Sequence, residues 1–181
     1  MRNIVLLVFG LLAGCGGSEG PTYAPPVDVV GSWTADFLLN TSTNASGPDV
    51  SPFGVVTLEE STFEEGGSPI IYTGKATAVF KSYAVQGTVD MPKSDGNGDV
   101  LYEQIGTVTY AGKWTNREDT VAFELHLSCQ QLEITAMRPD VQAVCGAPGF
   151  EASAYATCHK SEGSATFTCK FGTNEIVFSR L

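Results

Sequence analysis

The chain predicts an all-β domain, an antiparallel barrel or sandwich of about 8–10 strands. Three observations carry that expectation. Apolar and polar residues alternate with a period of two over most of its length, Gly, Asn, Asp and Pro punctuate those runs, and almost no segment repeats its apolar residues at helical spacing. The first candidate strand, 29–39, ends in a polar connection, 40–52, rich in Ser, Thr, Asn, Gly and Pro. The second, 53–58, runs toward Glu59-Glu60, Glu64-Glu65 and a turn at Gly66-Gly67. Candidates 70–80 and 83–91 precede Asp95-Gly96-Asn97-Gly98-Asp99, where Asp-Gly and Asn-Gly pairs signal a hairpin. Strand 100–110 is followed by the turn region Asn116-Arg117-Glu118-Asp119. Candidate 120–128 shows the cleanest alternation. Val121, Phe123, Leu125, Leu127 and Cys129 share one face, while Ala122, Glu124, His126 and Ser128 share the other, as in a sheet with one face on a core and one in water. Strand 132–137 leads into a connection, 137–149, containing two prolines. Candidates 152–159, 165–171 and 175–180 complete the body.

The first residues follow a different logic. Arg2 precedes a short apolar run, 4–12, too short to span a bilayer as a helix, and Leu12-Ala13-Gly14-Cys15 closes it. Charge, apolar core and small residues in that order make a secretory leader, and the cysteine placed directly after Leu-Ala-Gly closely resembles the lipobox of bacterial lipoproteins. That resemblance implies cleavage before Cys15, a covalent diacylglycerol and an acyl chain on Cys15, and anchoring to a membrane of the cell envelope. In a Gram-negative host it implies the outer membrane, because Gly16 rather than Asp follows the cysteine. The expected organisation is a signal peptide over 1–14, the lipidated cysteine and a Gly- and Pro-rich tether over 15–28, and one all-β domain over 29–181. At about 3 Å per residue the tether reaches roughly 40 Å from the lipid.

Of 10 basic and 20 acidic residues, only Arg2 lies in the leader, so the formal charge of −10 becomes −11 in the mature chain. A surface of that sign repels phosphate backbones, and the basic residues form no cluster, which argues against nucleic acid as a partner.

Four cysteines remain after Cys15, at 129, 145, 158 and 169, and an even number in an exported chain predicts two disulfides. They lack the Cys-x-x-Cys spacing of zinc sites, so no metal is assigned to them. A hairpin with Ser161 and Glu162 at its tip sets Cys158 opposite Ala165 and Cys169 opposite Ala154. Cys158 and Cys169 are then offset by four residues, roughly 13 Å at about 3.3 Å per residue, beyond the roughly 7 Å limit for a bridge. This register predicts that Cys129 bonds one of them and Cys145 the other. It also places Ala154, Ala156, Ala165 and Phe167 with the cysteines inside, and Tyr155, Thr157, His159, Thr166 and Thr168 outside.

Gly31-Ser32-Trp33, at the start of the first strand, resembles the Gly-x-Trp signature of lipocalins. The resemblance implies an eight-stranded barrel whose base is closed by Trp33, a basic residue packed over the indole, for which Arg180 is the candidate, and an apolar ligand cavity beside Trp33. The turn at 116–119 lacks the family's Thr-Asp-Tyr motif, and no helix is predicted after the last strand.

Catalytic patterns are sparse. His126 and His159 fall on polar strand faces, and no nucleophile elbow, metalloprotease helix, phosphate loop or dinucleotide fingerprint occurs. Asp95, Asn97 and Asp99 alternate oxygen donors as calcium loops do, but Val100 and Gly106 stand where an EF-hand needs glycine and an acid, so the hairpin takes precedence over a weak calcium site. Tyr72-Thr73-Gly74-Lys75 and Tyr110-Ala111-Gly112-Lys113 echo each other. The primary reading is a sheet bend at each glycine, the alternative a duplicated ligand contact. The function that emerges is a lipid-anchored envelope binding domain carrying a small apolar ligand, not an enzyme. A structural or assembly lipoprotein binding an envelope protein is the alternative, and a hydrolase with a loop-built site ranks last.

Overall fold

The computed structural model describes residues 28–35, 49–63, 70–87, 91–117, 121–135, 144–147 and 149–181. The Cys15 motif and tether, Glu64-Glu65 and most of the 40–52 connection lie outside the described residues. Eight strands follow one another around a closed barrel: β1 (Gly31–Thr34), β2 (Asp49–Phe63), β3 (Ile71–Val85), β4 (Tyr102–Arg117), β5 (Ala122–Ile134), β6 (Ser153–His159), β7 (Thr166–Phe171) and β8 (Asn174–Arg180). Each pairs antiparallel with the next, and β1 returns to β8 through Trp33 opposite Arg180 and Thr34 opposite Ser179. Closure decides for the barrel over the sandwich.

Two pairs of candidate strands prove to be single strands. Residues 70–80 and the start of 83–91 join in β3, which ends at Val85 and whose ladder with β4 absorbs one extra residue of β4, Ile105, between Ser82–Gly106 and Tyr83–Gln104. The described parts of 120–128 and 132–137 join in β5, where Gln130 is the extra residue between the Thr109–Gln131 and Tyr110–Cys129 pairs. In β3 the inward Ser82 interrupts the apolar pattern while the strand continues, and in β5 a bulge shifts the alternation without ending the strand; periodicity alone reads both as breaks.

Antiparallel order sorts the barrel into two ends. The start of β1 and the β2–β3, β4–β5 and β6–β7 connections define the base, and the other four connections define the mouth. Inward residues fill the base with aromatic rings. Phe167 lies 4.7 Å from Trp33, 5.2 Å from Phe123 and 5.0 Å from Phe178, centroid to centroid, and Trp114, Tyr72 and Leu58 are buried in the same cluster. Small residues, Ala76, Ala78 and Ala156, face these rings, so the volume of eight strands is consumed there by side chains. On β5, Phe123, Leu125 and Leu127 point in while Glu124 and His126 point out, as the alternation predicts; Val121 precedes the strand and is exposed.

The echoed glycines have related but distinct roles. Between the Leu58–Ala76 and Ser61–Gly74 pairs, β2 carries one extra residue, and the bulge turns the Glu59 carbonyl toward Trp114, whose Nε1–H donates to it at 2.9 Å. The indole reaches that carbonyl by lying on Gly74, where a Cβ would overlap it. Gly112 has no bulge beside it; its backbone presses against the His126 carbonyl where the wall curves.

The disulfides pair Cys129 with Cys145 and Cys158 with Cys169, across Cα separations of 5.7 and 4.0 Å. This overturns the expectation that Cys158 and Cys169 stay unbonded to each other. A turn does form at 161–164, with Ser164 N–H donating to the Ser161 carbonyl, but the strands do not close onto it. Lys160 N–H donates to the Val121 carbonyl and the Lys160 side chain is buried toward Trp33, whereas the Ala165 carbonyl accepts from Arg180. Held apart at the base, β6 and β7 first pair at His159–Thr168, which sets Cys158 directly opposite Cys169. The partner of Cys158 moves by four residues, an even number, so the predicted faces largely survive: Ala156 and Phe167 are inside, Tyr155 and His159 outside. Ala165 is the exception and is exposed.

The contact between Trp114 and Gly74 gives a direct test. Gly74→Ala displaces the indole and leaves the Glu59 carbonyl without its donor, so urea unfolding is expected to show a loss of about 2–3 kcal/mol.

Candidate functional site

The β6–β7 ladder consists of three pairs, Thr157–Lys170, Cys158–Cys169 and His159–Thr168. Toward the mouth the two strands part, and Ser153, Ala154 and Tyr155 face Phe171, Gly172 and Asn174 across a gap. The Cys158–Cys169 bridge sits within the last turns of contact before the split, so the wall is stapled directly below its opening. The gap runs into the barrel interior as a pocket of about 420 Å³ whose inner wall is formed by Phe80, Tyr110 and Ile176.

Each lining residue is placed by its strand. Phe80 and Tyr110 are inward positions on β3 and β4, their rings edge to face at 6.0 Å. Ile176 is an inward residue of β8, and Phe171 and Asn174 flank the tight Gly172-Thr173 turn, where Gly172 has a φ of 59°. Two residues from Phe80 on the same inner face, the Ser82 hydroxyl is buried without a hydrogen-bond partner among the described residues.

Besides Gly172 in its turn, Glu151 comes from a connection, and several contacts fix it. Phe150 is buried in a small second core with Ala84, Ile105 and Ala147, plugging part of the mouth. The Cys129–Cys145 bridge ties the same connection to β5, and Cys129 N–H donates to the Ala152 carbonyl. Between them, the Glu151 carbonyl accepts from the Tyr110 hydroxyl at 2.9 Å. Glu151 is thereby held at the edge of the pocket by its backbone, with its charge close enough to act on the Tyr110 phenol. Burial first, and the Glu151 charge second, push the Tyr110 phenol above the ordinary tyrosine range.

The residues predicted from the sequence fall elsewhere. Trp33, the expected ligand contact, does not line the pocket: it is fully buried at the base, its Nε1–H donating to the Val29 carbonyl at 2.9 Å. Arg180 packs over it as the resemblance implied, its guanidinium carbon 5.2 Å from the ring centroid. In the 95–99 hairpin, the Asp95 carboxylate accepts from the Asn97 and Asp99 amides at 2.8 and 3.0 Å. Those amide bonds hold its carboxyl below the usual aspartate range. Among the described residues, no three His, Cys, Asp or Glu side chains are arranged to hold a metal. His126 and His159 are exposed on the outer wall, His126 beside Glu124 at 3.3 Å.

Sequence reasoning missed Phe80, Phe171, Glu151 and Asn174 as a group. Tyr110 carried a signal, the echo of Tyr72, but only Tyr110 lines the pocket; Tyr72 belongs to the filled base. The chain matches no known protein family, curated protein or solved structure. What fold and site define is a class: a closed eight-stranded antiparallel barrel able in principle to enclose a small ligand.

Tyr110→Phe removes the bond to Glu151 and is expected to cost about 1 kcal/mol at neutral pH. A phenol raised in the folded state lends its stability below the ordinary tyrosine value and loses it as pH rises through the raised one. The penalty measured by thermal unfolding should therefore shrink in strongly alkaline solution.

Proposed function

We propose that this protein is a lipid-anchored binding protein of the cell envelope, carrying a small apolar ligand in the mouth of a lipocalin-like barrel. The pocket carries the reading. Its volume of about 420 Å³ lies in the range of small-molecule sites, and apolar and aromatic side chains with a few polar groups line it. The base, filled by Trp33, Trp114, Phe123, Phe167 and Phe178, supports a ligand position at the mouth and away from Trp33. Gly31-Ser32-Trp33 under Arg180 supports the lipocalin-like form. Leu12-Ala13-Gly14-Cys15 supports the anchor, and Gly16 supports the outer membrane in a two-membrane host. In this reading the protein holds its ligand and transforms nothing.

Titration with the neutral fluorophore N-phenyl-1-naphthylamine should show one saturable site per chain, and Ala154→Trp, which fills the pocket, should weaken it at least about tenfold. Undiminished binding in that variant would remove the pocket from consideration. In the full-length chain expressed in a bacterium, Cys15→Ser should abolish incorporation of labelled palmitate and release the protein from the membrane fraction.

A further inference from the structure

The charge of the pocket restricts the ligand further. Of the described residues that line it, Glu151 alone carries a formal charge, and neither Lys nor Arg is among them. The other polar groups are the Tyr110 phenol, the Ser153 hydroxyl and the Asn174 amide, with Tyr155 at the outer rim. Lys170, next to Phe171 in sequence, stands on the other face of β7 and pairs across the hairpin with Glu175. Among the described residues, a bound carboxylate would therefore meet Glu151 with no cation in the lining to offset the repulsion. It would also enter against the field of a chain whose formal charge is −10.

An ammonium head meets the opposite situation. Three inward aromatic rings, Phe80, Tyr110 and Phe171, border the same space, and aromatic faces attract cations most strongly where water is partly excluded. Glu151 supplies the countercharge. Its backbone is fixed by Tyr110, and the described part of its connection is tied to β5 by the Cys129–Cys145 bridge, so Glu151 itself is held in place before the ligand arrives. The remaining apolar wall, Ile176 and Ala154, suits a hydrocarbon or ring body.

We infer that the mouth pocket selects amphiphilic organic cations, an apolar body bearing an ammonium group, over fatty carboxylates of the same size. The inference rests on the carrier reading above and goes beyond it in naming the ligand class and Glu151 as the residue that sets specificity.

The test uses three matched dodecyl compounds below their micelle concentrations: dodecyltrimethylammonium, 1-dodecanol and dodecanoate. Each displaces N-phenyl-1-naphthylamine from the wild-type chain and from Glu151→Gln, with Trp fluorescence and an intact disulfide pattern reporting that the variant is folded. The cation is expected to displace the dye at least about tenfold more strongly than the carboxylate, with a ratio that falls as salt is added. In Glu151→Gln that ratio should drop to within about threefold. Equal displacement by cation and carboxylate, or a preference unchanged in Glu151→Gln, overturns the inference and leaves the carrier reading standing. Cation binding that leaves the dye in place also overturns it, since the site would then lie elsewhere on the acidic surface. If the dye itself fails to bind the wild-type chain, the carrier reading fails and this inference with it.

Discussion

Closure of the barrel at the base governs the rest of the structure, and it depends on a short seam. β1 has four residues, and it meets β8 through two residue pairs. Backbone bonding along so short a strand is worth little, so side chains must hold the seam. Trp33 does so from inside, fully buried against Phe167, and a buried aromatic of this size is worth about 3–5 kcal/mol. Arg180 works from the β8 side. Its guanidinium covers the indole and donates to the Val30 carbonyl at 2.8 Å, while its ion pair with Asp28, between exposed groups, adds less than about 1 kcal/mol. Packing and directed hydrogen bonds therefore close the barrel, and surface charge contributes little.

Because the base is closed by large rings, space is distributed unevenly along the barrel axis. An eight-stranded barrel encloses only enough volume to be filled by its own side chains or to admit one small ligand. This chain does both, one at each end. Trp33, Trp114, Phe123, Phe167 and Phe178 fill the base, whereas the mouth is bordered by Phe80, Tyr110 and Ile176 and only partly plugged by Phe150. The two disulfides serve that division. One staples β6 to β7 just where the wall opens, and the other fixes the connection that delivers Phe150 and Glu151.

The sequence was most legible where one local rule decides the outcome. Alternation on β5 located its inner face correctly, and the Asp95–Asp99 hairpin formed as its turn residues require. It was least legible where two distant segments negotiate a register. The turn formed one residue further on than expected, with Glu162 and Gly163 at its tip, Lys160 and Ala165 were drawn to other partners, and the resulting four-residue shift brought Cys158 and Cys169 together. Bulges at Ile105 and Gln130 were hidden for the same reason, since an extra residue in one strand is defined only against its neighbour.

By itself the sequence determined an all-β domain, which faces of its strands turn inward, and the acidic charge that any ligand must meet. These follow from side-chain period and composition, properties each segment carries alone. Only the tertiary structure decided that the sheet closes with eight strands, which cysteines pair, and that the free volume lies at the mouth beside Glu151 and away from Trp33. Those outcomes depend on ladder register and on the sum of side-chain volumes across the barrel, quantities that exist only once all eight strands are in place.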